Sequence, residues 1–117
     1  MSSKKVLIVD NNINSSELIS EKLKRKGYLV TIATSGNNAI DLFDDNFFDI
    51  VISELEMKDG DGFKLLEYSN AQMNKPRFYF LSKFPENRSI VDCIKAGAID
   101  FFLKPMDIDE LISKIDP

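Results

Sequence analysis

The sequence predicts an α/β fold: a doubly wound, five-stranded parallel sheet with helices on both faces. Three observations predict it. Short apolar runs alternate with longer amphipathic stretches five times in succession. The runs are apolar throughout, as strands buried on both faces are, rather than alternating with polar residues. The chain has 117 residues, 44% of them hydrophobic, which suits one domain over 1–117 with one substantial core.

Val6-Leu7-Ile8-Val9 reads as the first strand. Ser15 to Lys26 reads as a helix with Leu18, Ile19 and Leu23 on its inner face, and Gly27 stands where a left-handed cap ends such a helix. Leu29 to Ala33 is a second strand, rich in β-branched residues. Ser35 is a suitable N-cap for a helix to about Asp45, with Ala39, Ile40 and Phe43 inward. Asp49 to Ser53 is the third strand, and a polar loop from Glu54 to Asp61 leads to a short helix over Phe63 to Ala71. Pro76 introduces a fourth strand, Arg77 to Leu81. Pro85 opens the next helix, with Ile90, Val91 and Ile94 on its inner face and Gly97 at its end. Ile99 to Leu103 is the fifth strand. Beyond Pro105, Ile108, Leu111, Ile112 and Ile115 mark a last helix.

Composition narrows the function. The net charge is -4 and charged residues make up 29%. That suits a soluble protein and argues against nucleic-acid binding by this domain, which needs a basic patch. With one cysteine, Cys93, and no histidine, a disulfide framework is impossible and a zinc site lacks its ligands. No apolar run approaches the roughly 18 residues that span a membrane, and the run after Lys5 is too short for a signal peptide. The expected compartment is the cytoplasm.

In a doubly wound sheet, ligands sit at the carboxyl ends of the strands, where the strand order reverses. Those ends here carry Asp10-Asn11, Ala33-Thr34, Ser53-Glu54, Ser82-Lys83 and Leu103-Lys104. Asp10 and Glu54 lie on strands expected to be neighbours, so two carboxylates converge. With the Asn11 amide they make an oxygen-lined pocket suited to a hard cation such as Mg²⁺. Lys104 and the Ser82 hydroxyl add groups that can stabilise the charge of a phosphoryl group.

With these residues in place, the whole chain resembles the receiver domain of two-component response regulators. The resemblance rests on Val6 to Asn11, Asp49 to Glu54, Asp61-Gly62-Phe63, Leu81-Ser82, and Gly97-Ala98 through Asp100-Phe101 to Lys104-Pro105. It implies the strand order 2-1-3-4-5 of the flavodoxin-like class. It also implies a phosphorelay role: a kinase's phosphohistidine passes its phosphoryl group to an aspartate at the end of strand three. The receiver promotes that transfer with Mg²⁺ but is a switch rather than an enzyme in its own right. A hydroxyl residue then contacts the phosphate, and an aromatic on strand five turns inward and changes a binding face.

Carried over residue by residue, Asp10 matches the first acidic position, while Asn11 fills a second that is usually acidic. Glu54 stands at the phosphoacceptor position. Glu56 matches the residue whose backbone carbonyl binds the metal, and Lys58 replaces a common loop proline. Ser82 matches the switch hydroxyl and Phe101 the switch aromatic, without a tyrosine's hydroxyl. Lys83 stands where a small residue usually leaves the phosphate room. Lys104 matches the phosphoryl-contacting lysine, aimed by a proline often linked in cis.

Three of these departures bear on one expectation. Glutamate carries its carboxylate about 1.5 Å further than aspartate, a displacement to which catalysis by positioning is sensitive. Set there, it can pair with Lys104 and Ser82 and imitate a phosphorylated aspartate. Asn11 removes a charge and weakens Mg²⁺ binding. Lys83 adds a cation to the phosphate space. The leading expectation is therefore an atypical receiver, a protein-interaction module that works without ordinary phosphorylation and is fixed in an active-like or an inactive-like state. The alternative is an ordinary Mg²⁺-dependent receiver whose acceptor aspartate has been exchanged for Glu54 in the laboratory. A third reading, a small flavin- or nucleotide-binding protein, lacks a glycine-rich phosphate loop. An aspartyl phosphatase would want an acid where Asn12 stands.

The remaining features read as structure. Asp59-Gly60-Asp61-Gly62 is a turn whose glycines supply positive φ, rather than a calcium loop. Phe47-Phe48 and Phe101-Phe102 read as core, with one ring of the latter pair in and one out. Cys93 is a packed or half-exposed thiol, and the Lys22 to Lys26 cluster a solvated helix face. By resemblance, the partner face is the fourth helix, fifth strand and fifth helix, about Pro85 to Ala96, Ile99 to Leu103 and Asp107 to Ile115. Its expected occupants are protein partners or a second copy of the chain, with a histidine kinase or phosphotransfer protein upstream. With no effector segment after Pro117, the chain is expected to be a stand-alone regulator or a piece of a longer protein.

Overall fold

The computed structural model describes residues 4–59, 61–85 and 89–116. Five strands and five helices alternate. The strands are β1 (Lys5–Val9), β2 (Leu29–Ala33), β3 (Ile50–Ser53), β4 (Arg77–Ser82) and β5 (Asp100–Leu103). The helices are α1 (Ile13–Arg25), α2 (Gly36–Asp45), α3 (Gly62–Asn70), α4 (Ile90–Lys95) and α5 (Ile108–Ile115). The sheet is parallel in the order β2-β1-β3-β4-β5, as expected.

The sheet divides the core into two layers because successive strand residues point to opposite faces. Leu7, Val9, Val51, Phe78, Phe80 and Phe101 face one way, against Ala39 and Phe43 of α2, Leu65 and Leu66 of α3, and Cys93 of α4. Val6, Ile8, Ile50, Ile52, Tyr79 and Phe102 face the other, against Ile19 and Leu23 of α1 and Leu111, Ile112 and Ile115 of α5. Both faces being covered, the strands have no solvent side to alternate with. Among the described residues, no helix is long and apolar enough to cross a membrane.

Caps set the helix ends. Ser35 accepts from the Asn38 N–H as the N-cap of α2, and Gly27 (φ 97°) and Gly97 (φ 117°) follow α1 and α4 in the left-handed region. Elsewhere the structure departs from the sequence reading. Helix α1 starts at Ile13, two residues early, because the Asn12 side chain caps it through the Ser15 N–H. Leu18 is 52% exposed rather than inward, since Ile19 and Leu23 already fill the space under the helix. Helix α4 begins at Ile90 behind Ser89 rather than at Pro85; residues 86–88 lie outside the described chain. It buries Cys93 and exposes Val91 and Ile94. Phe47 is also exposed, with Phe48 alone in the core. Phe101 and Phe102 are both buried, one in each layer, because neither face of β5 is free.

The loop after β3 is not a simple turn. Asp59 reaches back to α2, where its carboxylate accepts from the Gly36 (3.1 Å) and Asn37 (2.7 Å) N–H groups. Asp61 caps α3 through the Lys64 N–H. Gly62 has no positive φ. It is glycine because a Cβ would collide with the Glu54 carbonyl and stand 2.9 Å from the Phe80 ring. Gly60 lies outside the described residues.

Candidate functional site

Three candidate side chains are each placed one residue beyond a strand by a last backbone bond to the neighbouring strand. The Asp10 N–H donates to Ala33 O (3.0 Å), the Glu54 N–H to Val9 O (3.0 Å) and the Lys104 N–H to Ser82 O (2.8 Å). Val9 lies beside Ser53 in the β1–β3 register, so Asp10 and Glu54 emerge side by side where the strand order reverses. Lys104 comes over from β5, followed by a cis peptide bond to Pro105.

The three form one clamp. The Lys104 ammonium donates to Asp10 Oδ2 (2.8 Å) and to Glu54 Oε1 (2.6 Å). Asp10 is 3% exposed, and its other oxygen accepts from the Asn12 N–H (2.8 Å), so the start of α1 is tied to the same carboxylate. Burial pulls the Lys104 pKa down, but the hydrogen bonds and charges of Asp10 and Glu54 outweigh it and leave the ammonium above its ordinary value. Two adjacent carboxylates repel one another, and the single ammonium between them offsets that repulsion.

The other candidates are spread around this clamp. Ser82 ends β4 and is buried, yet it makes no hydrogen bond to Glu54 among the described residues. Of the two expected partners of Glu54, Lys104 bonds its Oε1 and Ser82 does not bond it. Asn11, Glu56 and Lys58 are exposed. Lys83 is exposed too and lines a groove beside Pro105 and Met106 rather than joining the clamp. Phe101 is buried, its ring 5.4 Å from that of Phe80. Among the described residues no group of three or more acidic, histidine or cysteine side chains could hold a metal ion. Asp10 and Glu54 contribute two carboxylates, each with one oxygen on Lys104, and the third position offers only the Asn11 amide. That donor set fits a divalent cation weakly.

Asp59 was not singled out as a functional candidate from the sequence. Its carboxyl is held below the ordinary aspartate range, first by the Asn37 N–H, against partial desolvation, and further by the Gly36 N–H. Its position five residues after Glu54, facing a Ser-Gly helix start, was the signal available.

Comparison with known proteins shows the family and the fold. The family described as the response regulator receiver domain matches residues 6–116. The two-component response regulator ARR10 of Arabidopsis thaliana is 37% identical over 109 residues, which cover 92% of this chain and 20% of that protein. The regulatory protein AtoC of Escherichia coli is 29% identical over 107 residues, 92% of this chain and 23% of that one. The chain thus spans about a fifth of the length of these curated relatives. Among solved structures, the receiver domain of the Francisella response regulator 1452 aligns with a TM-score of 0.86 at 28% identity, covering 97% of this chain and 94% of that one. A CheY-like receiver domain protein of Methanospirillum hungatei aligns at a TM-score of 0.90 and 24% identity, covering 97% and 91%, a likeness of fold.

Proposed function

The chain belongs to the response regulator receiver family, and from that premise we propose that it is an atypical receiver, an interaction module of two-component signalling whose pocket is held shut by its own glutamate. The observation that carries this reading is the 2.6 Å bond between Lys104 and Glu54. The lysine that the family resemblance assigns to the phosphoryl group is here already matched by a carboxylate one methylene longer than aspartate. Phe101 is buried against Phe80, the inward placement that the resemblance associates with the switched state, which favours an active-like setting.

In this reading Glu54 stands in for the phosphorylated acceptor, Lys104 is its counter-charge, and Asp10 orients the lysine from the opposite side. Ser82 is the switch hydroxyl and Phe101 the switch aromatic. A divalent cation, when bound, would neutralise carboxylate charge. Asp10 and Glu54 would hold it with the Glu56 carbonyl and the Asn11 amide, weakly, because one acidic ligand is missing. The module acts in the cytoplasm and meets its partner, a protein or a second copy of the chain, through α4, β5 and α5. Exposed Val91, Ile94, Ile99 and Leu103 on those elements and their approaches support that placement.

Intact mass after incubation with acetyl phosphate and Mg²⁺, with Glu54→Asp run beside the native chain, tests the reading. The expected result is no phosphoryl adduct on the native chain and one on the aspartate form. That outcome means a competent pocket silenced by one methylene. A phosphoryl group acquired by native Glu54 would overturn the proposal and make the chain a phosphorylated switch.

A further inference from the structure

A groove of about 360 Å³ runs beside the clamp, between α1 and the start of α5. Its walls include Leu18, Leu81, Lys83, Pro105, Met106 and Ile108. The volume is at the scale of pockets that enclose small ligands, about 300–1,000 Å³. The lining has their character as well: mostly apolar, with few polar groups. Leu18, displaced from the core, stands 52% exposed at its wall.

The charges in the groove have one sign. Among the described residues that line it, the ionisable ones are Lys83 and Lys104, and none is acidic. Lys104 is committed to Asp10 and Glu54. Lys83 is exposed and forms no ion pair among the described residues. An apolar trough with one uncommitted ammonium beside it is complementary to an apolar body carrying one negative charge.

We propose that this groove is a binding site for a small amphipathic anion, an aromatic or aliphatic carboxylate or sulfonate. Its apolar part lies on Leu18, Leu81, Met106 and Ile108, and its charge meets Lys83.

The probe for the test is 1-anilinonaphthalene-8-sulfonate, an apolar two-ring body with one anionic group, against N-phenyl-1-naphthylamine, which lacks the sulfonate. Fluorescence titration of the folded chain is expected to give one saturable sulfonate site with a Kd on the order of tens of micromolar. Lys83→Ala should weaken it about two- to fivefold and Lys83→Glu further, while neither changes binding of the neutral probe. Leu18→Glu should weaken both probes. Both positions are exposed, and thermal unfolding of each variant confirms the fold. Non-saturable binding, or a site indifferent to Lys83→Glu and Leu18→Glu, would overturn the proposal. So would sedimentation showing that the chain self-associates and that Leu18→Glu makes it monomeric, which would give the groove to a second copy.

Discussion

Helices α4 and α5 flank the same edge strand and use it in opposite ways. Helix α5 turns Leu111, Ile112 and Ile115 fully into the core, and its Asp109 pairs with Lys22 of α1 at 2.5 Å. Helix α4 has six residues, buries Cys93, and leaves Val91 59% and Ile94 41% exposed. One helix anchors the strand; the other holds apolar surface in reserve. A helix with few buried contacts is the cheaper one to shift, so the edge of the sheet is built with one fixed and one adjustable side.

The most severe test of that contrast is truncation at matched positions. Ile112→Ala should cost about 2–5 kcal/mol by leaving a cavity in a closed layer. Val91→Ala should stay within about 0.5 kcal/mol while weakening partner or self-association. Urea denaturation measures both, and equal costs would erase the distinction.

A second comparison sets the clamp against the α2 latch at the other side of the Glu54 loop. Lys104 has its pKa raised above the ordinary 10.5 by its two carboxylates, despite burial. Its contribution to stability is therefore complete below about 10.5 and is lost as pH rises through the folded value. The stability difference between the native chain and Lys104→Met should be flat from neutral pH to about 10 and shrink above it. A difference that shrank near neutral pH would contradict the clamp. Asp59 runs the other way: its carboxyl is depressed below 3.8, so its contribution holds above that value and is lost as pH falls through the lower folded one. Asp59→Ala should cost about 0.5–2 kcal/mol at neutral pH and nothing in strong acid, as thermal unfolding across pH would reveal.

The same contrasts mark what the sequence made legible. The layers and the meeting of Asp10, Glu54 and Lys104 could be anticipated because uniform apolar runs and strand-end polar residues report directly on burial and edge position, while the strand order came from the family resemblance. The orientation of Leu18, Val91 and Ile94 could not. An amphipathic helix has a wider apolar stripe than its neighbours cover, and which residues are left out depends on tertiary packing. Asp59 was missed because its partners, Gly36 and Asn37, are more than twenty positions away and its own neighbourhood reads as a turn.

Gly62 has a mechanical consequence. With the Glu54 carbonyl and the Phe80 ring filling the space where a side chain would begin, and the Gly62 N–H bonded to Leu55 O, the peptide after Glu54 has nowhere to recoil. Any adjustment at this position must then be made by rotation about the glutamate's own side-chain bonds. The strand end behaves as a rigid post, with its freedom confined to the last few atoms.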